Sequence, residues 1–174
     1  MIKLQADNLS SKAALISDNE TLSFADLDKL STNIATHLIH LGLLPGDRAA
    51  VWAPNMNEWV LAAIAIHKAG GVLVPINTRM KGKEAAYILN NSEAIILFSV
   101  KTFLGTDYFE LLENEDLPYL QHQISLDESE LKKFNKSFKN FKEQALDVEL
   151  PEVSEADMAD MIFTSGTTGK PKGV

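Results

Sequence analysis

The chain reads as an α/β protein with a mostly parallel sheet and helices on both faces. Two observations predict this. Apolar runs of strand length recur at 48–53, 72–76 and 94–98, and the stretches between them carry apolar residues at helical spacing. That alternation implies parallel strands joined by right-handed crossovers, which lay helices on both sides of the sheet. Composition agrees: 45% of the 174 residues are hydrophobic and 23% charged, the balance of an ordinary water-soluble domain large enough to bury a core.

Taken in order, Ala13–Ile16 and Thr21–Leu22 flank a polar, turn-rich linker and predict a short hairpin. Ser23 followed by Asp26 is a near capping box for a helix whose apolar stripe runs Leu27, Leu30, Ile34, Leu38 and Leu41 and stops at Gly42. At ~1.5 Å per residue that helix is about 27 Å long. Leu44-Pro45-Gly46-Asp47 turns into the strand 48–53, bounded by Pro54. Asn57 is expected to cap a helix that is apolar almost all round from Glu58 to Lys68, as for a helix wedged between layers, and ends at Gly70-Gly71. The strand Val72–Ile76, a helix from Lys83 to Asn90 and the buried strand Ala94–Phe98 complete the pattern.

From Asp127 to Gln144 the character changes. Leu131, Phe134, Phe138 and Phe141 make a helical stripe with lysines interleaved. Such a basic amphipathic helix suits a membrane surface or a partner; the plainer alternative is a peripheral helix docked by its phenylalanines with its lysines in water.

Charge and cysteine narrow the functions. A formal net charge of -8 with a pI near 5.0 argues against broad attraction to nucleic acid or an anionic membrane, though a nucleotide site needs only local donors and a few cations. With no cysteine there is no disulfide, thiolate nucleophile or cysteine metal site. Residues 1–7 lack the apolar run and cleavage site of a signal peptide, and no apolar stretch is of transmembrane length, which is read as a cytoplasmic protein. His37, His40 and His67 have no carboxylate or second ligand beside them in sequence and are assigned no chemistry; Trp52 and Trp59 are expected to be packing residues.

The chemistry is expected in the last segment, where an apolar, buried strand from Asp157 opens into Thr164-Ser165-Gly166-Thr167-Thr168-Gly169-Lys170-Pro171-Lys172-Gly173-Val174. Gly166 and Gly169 permit positive φ and close approach of backbone N–H groups to a phosphate; Ser165, Thr167 and Thr168 add hydroxyls, and Lys170 and Lys172 add charge. A Walker loop needs four residues between its glycines and a hydroxyl residue after Gly-Lys; here two residues separate the glycines and Pro171 follows Lys170.

The run Phe163 to Val174 resembles the phosphate-loop signature of the adenylate-forming superfamily, the AMP-forming acyl-CoA synthetases among them. The resemblance extends upstream through Thr21–Leu27, Leu43–Arg48, Asn57–Trp59, Gly70–Asn77 and Lys83–Ser92, and is weakest over Tyr119–Glu149. It implies that residues 1–174 are the N-terminal subdomain, a partial AMP-binding domain, of an enzyme that joins a carboxylic acid to coenzyme A. A carboxylate attacks the α-phosphate of ATP with Mg²⁺ present, and the acyl-adenylate passes its acyl group to the thiol. It places Ser165, Gly166, Thr167, Thr168, Gly169 and Lys172 around the β- and γ-phosphates, with Lys170 at a permissive position and Thr164 also at magnesium. These groups act by electrostatic stabilisation; no acid, base or nucleophile is assigned.

In the resembling family an acidic magnesium motif, a ribose aspartate, the acyl pocket and a mobile domain with a lysine follow this loop. The 174-residue chain is therefore expected to be incompetent alone, with the carboxylate of Val174 within ~7 Å of Lys172 opposing phosphate. The expected continuation of the sheet is missing, which predicts exposed edge, self-association and fraying of the last ten residues. The alternative is a finished, non-catalytic binding or interaction module derived from such a ligase.

Overall fold

The computed structural model describes residues 2–18, 20–127, 138–164 and 171–174. A short helix α1 (Ile2–Leu9) precedes the hairpin β1 (Ala13–Ile16) and β2 (Thr21–Ser23), which pairs Ala13 with Ser23 and Ile16 with Thr21. Helix α2 (Phe24–His40) starts on a complete capping box: Asp26 N–H donates to Ser23 Oγ at 3.1 Å, and Ser23 N–H donates to the Asp26 carboxylate at 3.0 Å. Its last turn closes on Leu41, and Gly42 takes φ +95°, a conformation glycine adopts without a Cβ penalty.

The central sheet is built from β3 (Arg48–Trp52), β4 (Val72–Pro75), β5 (Ile96–Ser99) and β8 (His122–Ser125) in the spatial order β4-β3-β5-β8, all parallel. Helix α3 (Asn57–Lys68) crosses from β3 to β4 and α4 (Gly82–Ser92) crosses back over β3 to β5. Because the chain reverses its direction of travel across the sheet, right-handed crossovers put α3 and α4 on opposite faces. Side chains agree. Val51 and Phe98 are register partners and share a face, where Phe98 meets the edge of Phe138 with ring centroids 5.8 Å apart. Trp52 points the other way and meets Tyr108 edge-on at 4.5 Å. Ala49, Ala50, Val51, Trp52, Ile96, Leu97 and Phe98 are all wholly buried, as expected of strands covered twice.

Between β5 and β8 run a small hairpin, β6 (Thr102–Phe103) and β7 (Thr106–Asp107), and a 3-10 turn at Glu110–Leu112 that packs beside α4. Gly82 exists for that contact: a Cβ there would lie 2.0 Å from the Leu111 carbonyl oxygen. On the other face Lys68 ties α3 to α2, its Nζ 2.7 Å from the Asp28 carboxylate and 2.8 Å from Thr32 Oγ1.

Two expectations change here, and a third is tested in part. Asn57 is the first helical residue of α3, not its cap; Met56 occupies the cap without a side-chain bond, and the Asn57 amide instead donates to Ser17 and Glu20 of the β1–β2 hairpin. Asp127 is not helical but follows β8, where its carboxylate accepts from the Lys101 N–H at 2.9 Å. Of the amphipathic stretch, Leu131 and Phe134 lie outside the described residues, and the part described is α5 (Phe138–Glu143). Phe138 and Phe141 are buried, Lys142 pairs with Glu58 at 3.2 Å, and Asn33 of α2 donates to the Lys142 carbonyl, so this part is docked on its own domain. Among the described residues no helix is long and apolar enough to cross a membrane.

Candidate functional site

Residues 157–162 do not form the buried strand expected. Met158 and Ile162 are more than half exposed, and the segment meets the sheet through one parallel bridge, Asp160 beside Leu73. Leu73 N–H donates to Ala159 O at 2.9 Å and Met161 N–H donates to Leu73 O at 2.8 Å. The reason is position: β4 is the edge of the sheet, so a segment laid outside it gains backbone bonds on one side only.

Beyond this bridge, β9 (Phe163–Thr164) and β10 (Lys172–Gly173) form an antiparallel hairpin, with Thr164 opposite Lys172 and Phe163 opposite Gly173. Ile162 and Val174 exchange both backbone bonds at 3.0 Å. After the loop the chain folds back on its own entry strand, which pairs the inward backbone groups of both. Ser165, Gly166, Thr167, Thr168, Gly169 and Lys170 lie outside the described residues. The two candidates inside them, Thr164 and Lys172, are brought together. As directly opposed residues they project to one face of the hairpin, and both are solvent-exposed. Phe163 and Gly173 share the other face; a Cβ on Gly173 would stand 3.2 Å from the Phe163 ring and 3.3 Å from Met161.

Phe163 also borders a cleft of about 700 Å³ at the carboxyl ends of β3 and β4, lined among others by Pro54, Trp59, Ile76, Asn77 and Met80. In open α/β sheets this end of the strands is where ligands lodge. The turn after β4 is firm: Trp52 Nε1–H donates to Asn77 O at 3.1 Å and Tyr108 O–H donates to Thr78 O at 2.9 Å. Burial pushes the Tyr108 hydroxyl above its ordinary pKa, partly offset by that bond. Trp52 is thus a packing residue as expected, whereas Trp59, read the same way, helps to line the cleft.

Sequence reasoning missed two side chains that flank the loop. Tyr87 of α4 donates its hydroxyl to Pro171 O at 3.2 Å, and His67 of α3 places Nε2 3.1 Å from Ala159 O and 3.2 Å from Asp160 Oδ1. Sequence separations of 84 and more carry no local signal for either contact. His37 stacks on Phe141 and meets Gln144 O at 3.0 Å. Among the described residues no group of three or more His, Asp or Glu could hold a metal ion.

The AMP-binding enzyme family matches residues 2–174. The chain belongs to that family. Two curated relatives in this AMP-binding family are a 3-[(3aS,4S,7aS)-7a-methyl-1,5-dioxo-octahydro-1H-inden-4-yl]propanoyl:CoA ligase of Mycobacterium tuberculosis, 36% identical over 170 residues, and a crotonobetaine/carnitine–CoA ligase of Escherichia fergusonii, 34% identical over 179. They cover 95% and 97% of this chain, which spans only 33% and 34% of their lengths. Among solved structures, an anthranilate CoA ligase in complex with anthranoyl-AMP superposes with a TM-score of 0.89 at 25% identity, over 99% of this chain and 33% of that one. The O-succinylbenzoate coenzyme A synthetase of Bacillus subtilis in complex with AMP gives 0.77 at 28%, over 99% and 40%. The AMP-binding family and its parallel α/β architecture thus agree with the sequence reading.

Proposed function

We propose that this chain carries the triphosphate-gripping element of an ATP-dependent acyl-CoA ligase, with residues 164–172 wrapped around the β- and γ-phosphates. The observation that supports it most is the pairing of Thr164 with Lys172, which closes the glycine- and hydroxyl-rich turn at its base and leaves an ammonium and a hydroxyl on the same exposed face. The relatives' names supply the reaction class: all those described above are CoA ligases or synthetases. On this reading ATP, a carboxylic acid and coenzyme A are the substrates of the complete enzyme.

The fit to magnesium is partial. Thr164 can offer one hydroxyl oxygen, and Mg²⁺ bound with a nucleotide takes most of its six places from phosphate oxygens and water. Bound there, the ion would supply charge neutralisation; the chain's own part is to hold the phosphates by N–H, hydroxyl and ammonium donors aimed where negative charge gathers. No residue of 2–174 is assigned to acid, base or nucleophilic work. On this reading the residues present contribute to holding the nucleotide, and the 174-residue chain is expected not to complete adenylation.

Titration calorimetry of the purified chain with MgATP, against Lys172→Ala, tests the grip. Loss of one charged hydrogen bond predicts about tenfold weaker binding by the variant; equal affinities would count against it. Carboxylate-dependent ATP–pyrophosphate exchange by the chain alone would contradict the division of labour.

A further inference from the structure

Two side chains outside the loop hold the chain on either side of it, one on the entry segment and one beside β10, and they come from helices on opposite faces of the sheet. Ahead of the loop, both oxygens near His67 Nε2 are acceptors, the Ala159 carbonyl at 3.1 Å and the Asp160 carboxylate at 3.2 Å. Nε2 therefore carries the proton and donates. Ala159 and Asp160 are also where the entry segment meets β4, through Leu73. His67 thus fastens the segment at its bridge to the sheet. Behind the loop, Tyr87 donates to Pro171 O at 3.2 Å. The Thr164–Lys172 pair uses the inward groups of β10, so the Pro171 carbonyl faces away from the ladder and needs a donor from elsewhere.

The described residues between these points are otherwise held by the short ladder, the Ile162–Val174 bonds and the partly buried Met161 and Phe163. The ladder's strands are two residues long, and Ile162 and Val174 are 52% and 82% exposed. The geometry points to His67 and Tyr87 as positioning residues that set where the phosphate loop sits against the sheet. This role rests on the phosphate-binding reading above. His67 acts through the entry segment at Ala159 and Asp160, and Tyr87 through the Pro171 carbonyl beside β10.

The test uses the 174-residue chain with His67→Ala, His67→Gln, Tyr87→Phe and the double variant His67→Ala/Tyr87→Phe. Two quantities are read: amide hydrogen exchange at Ile162, Thr164 and Val174 relative to β3, and affinity for MgATP. Losing one ordinary hydrogen bond predicts about fivefold faster exchange at the hairpin in His67→Ala and Tyr87→Phe, with β3 unchanged, and about fivefold weaker MgATP binding. Effects at independent contacts add in free energy, so the double variant should bind about twenty-five-fold more weakly. His67→Gln, which keeps an N–H donor, should recover part of both losses. Wild-type exchange at the hairpin in both single variants overturns the assignment, as does wild-type MgATP affinity in the double variant. Failure of the unsubstituted chain to bind MgATP defeats the phosphate reading instead; the exchange rates need no nucleotide and still support or overturn the anchoring.

Discussion

Thr164 and Lys172 face each other across a two-residue antiparallel ladder, so the two described residues among the predicted phosphate and magnesium ligands stand at the base of the loop on one face. Entry and exit of the loop are thereby fixed to each other before any ligand arrives. On the proposed phosphate-binding reading, binding energy otherwise spent on bringing these two ends together would be kept for the phosphates.

The glycine behind that pair is a point of sensitivity. A Cβ at Gly173 meets the Phe163 ring at 3.2 Å and the Met161 side chain at 3.3 Å, both able to shift slightly. Gly173→Ala should therefore cost under about 1.5 kcal/mol in global stability, while weakening MgATP binding by disturbing the hairpin. Urea unfolding and calorimetry together check this.

A harsher outcome is expected at Gly82. Its would-be Cβ lies 2.0 Å from the Leu111 carbonyl oxygen, a backbone atom that cannot swing aside. Gly82→Ala should destabilise by about 3 kcal/mol, against about 1 kcal/mol for Gly71→Ala, where the close neighbours include the movable side chains of Leu43 and Ile66. Denaturant midpoints compare the two.

Helix α2 should titrate through its cap. The Ser23 side-chain and backbone bonds hold the Asp26 carboxyl below its ordinary value of 3.8. A lowered folded pKa means the stabilisation is complete above 3.8 and is lost as pH falls through the lower folded value. Asp26→Asn should flatten that part of the acid dependence of Tm, and Ser23→Ala should cost about 1 kcal/mol at neutral pH.

The phenylalanines of α5 decide between docking and surface recruitment. Phe138 is 1% exposed and meets Phe98 edge-on. Phe138→Ala should cost about 3–4 kcal/mol, and the unsubstituted chain should not sediment with anionic vesicles. Sedimentation without loss of stability in the variant would reverse the reading.

Much of the fold was legible because its strands are buried on both faces. β3, β4 and β5 appear as apolar runs, and α2 declares itself through the Ser23–Asp26 box and its spacing. What escaped has weaker signals. Helix α1 buries no residue, and β8 is a four-residue edge strand, His-Gln-Ile-Ser, with one strongly apolar member. Met158, Met161, Ile162 and Phe163 make the approach to the loop look like a buried strand, because composition does not reveal that the segment lies outside edge strand β4. The loop's residue types could be read from sequence, but the Tyr87 and His67 contacts depend on crossings that bring distant helices to one hairpin.

Backbone amide chemical-shift mapping of the 174-residue chain during MgATP titration tests the central claim most directly. Saturable shifts concentrated at 164–173 and at Tyr87, weakened by Lys172→Ala, are predicted. Shifts that never saturate, or that cluster away from the β9–β10 hairpin while it stays unperturbed, would contradict it.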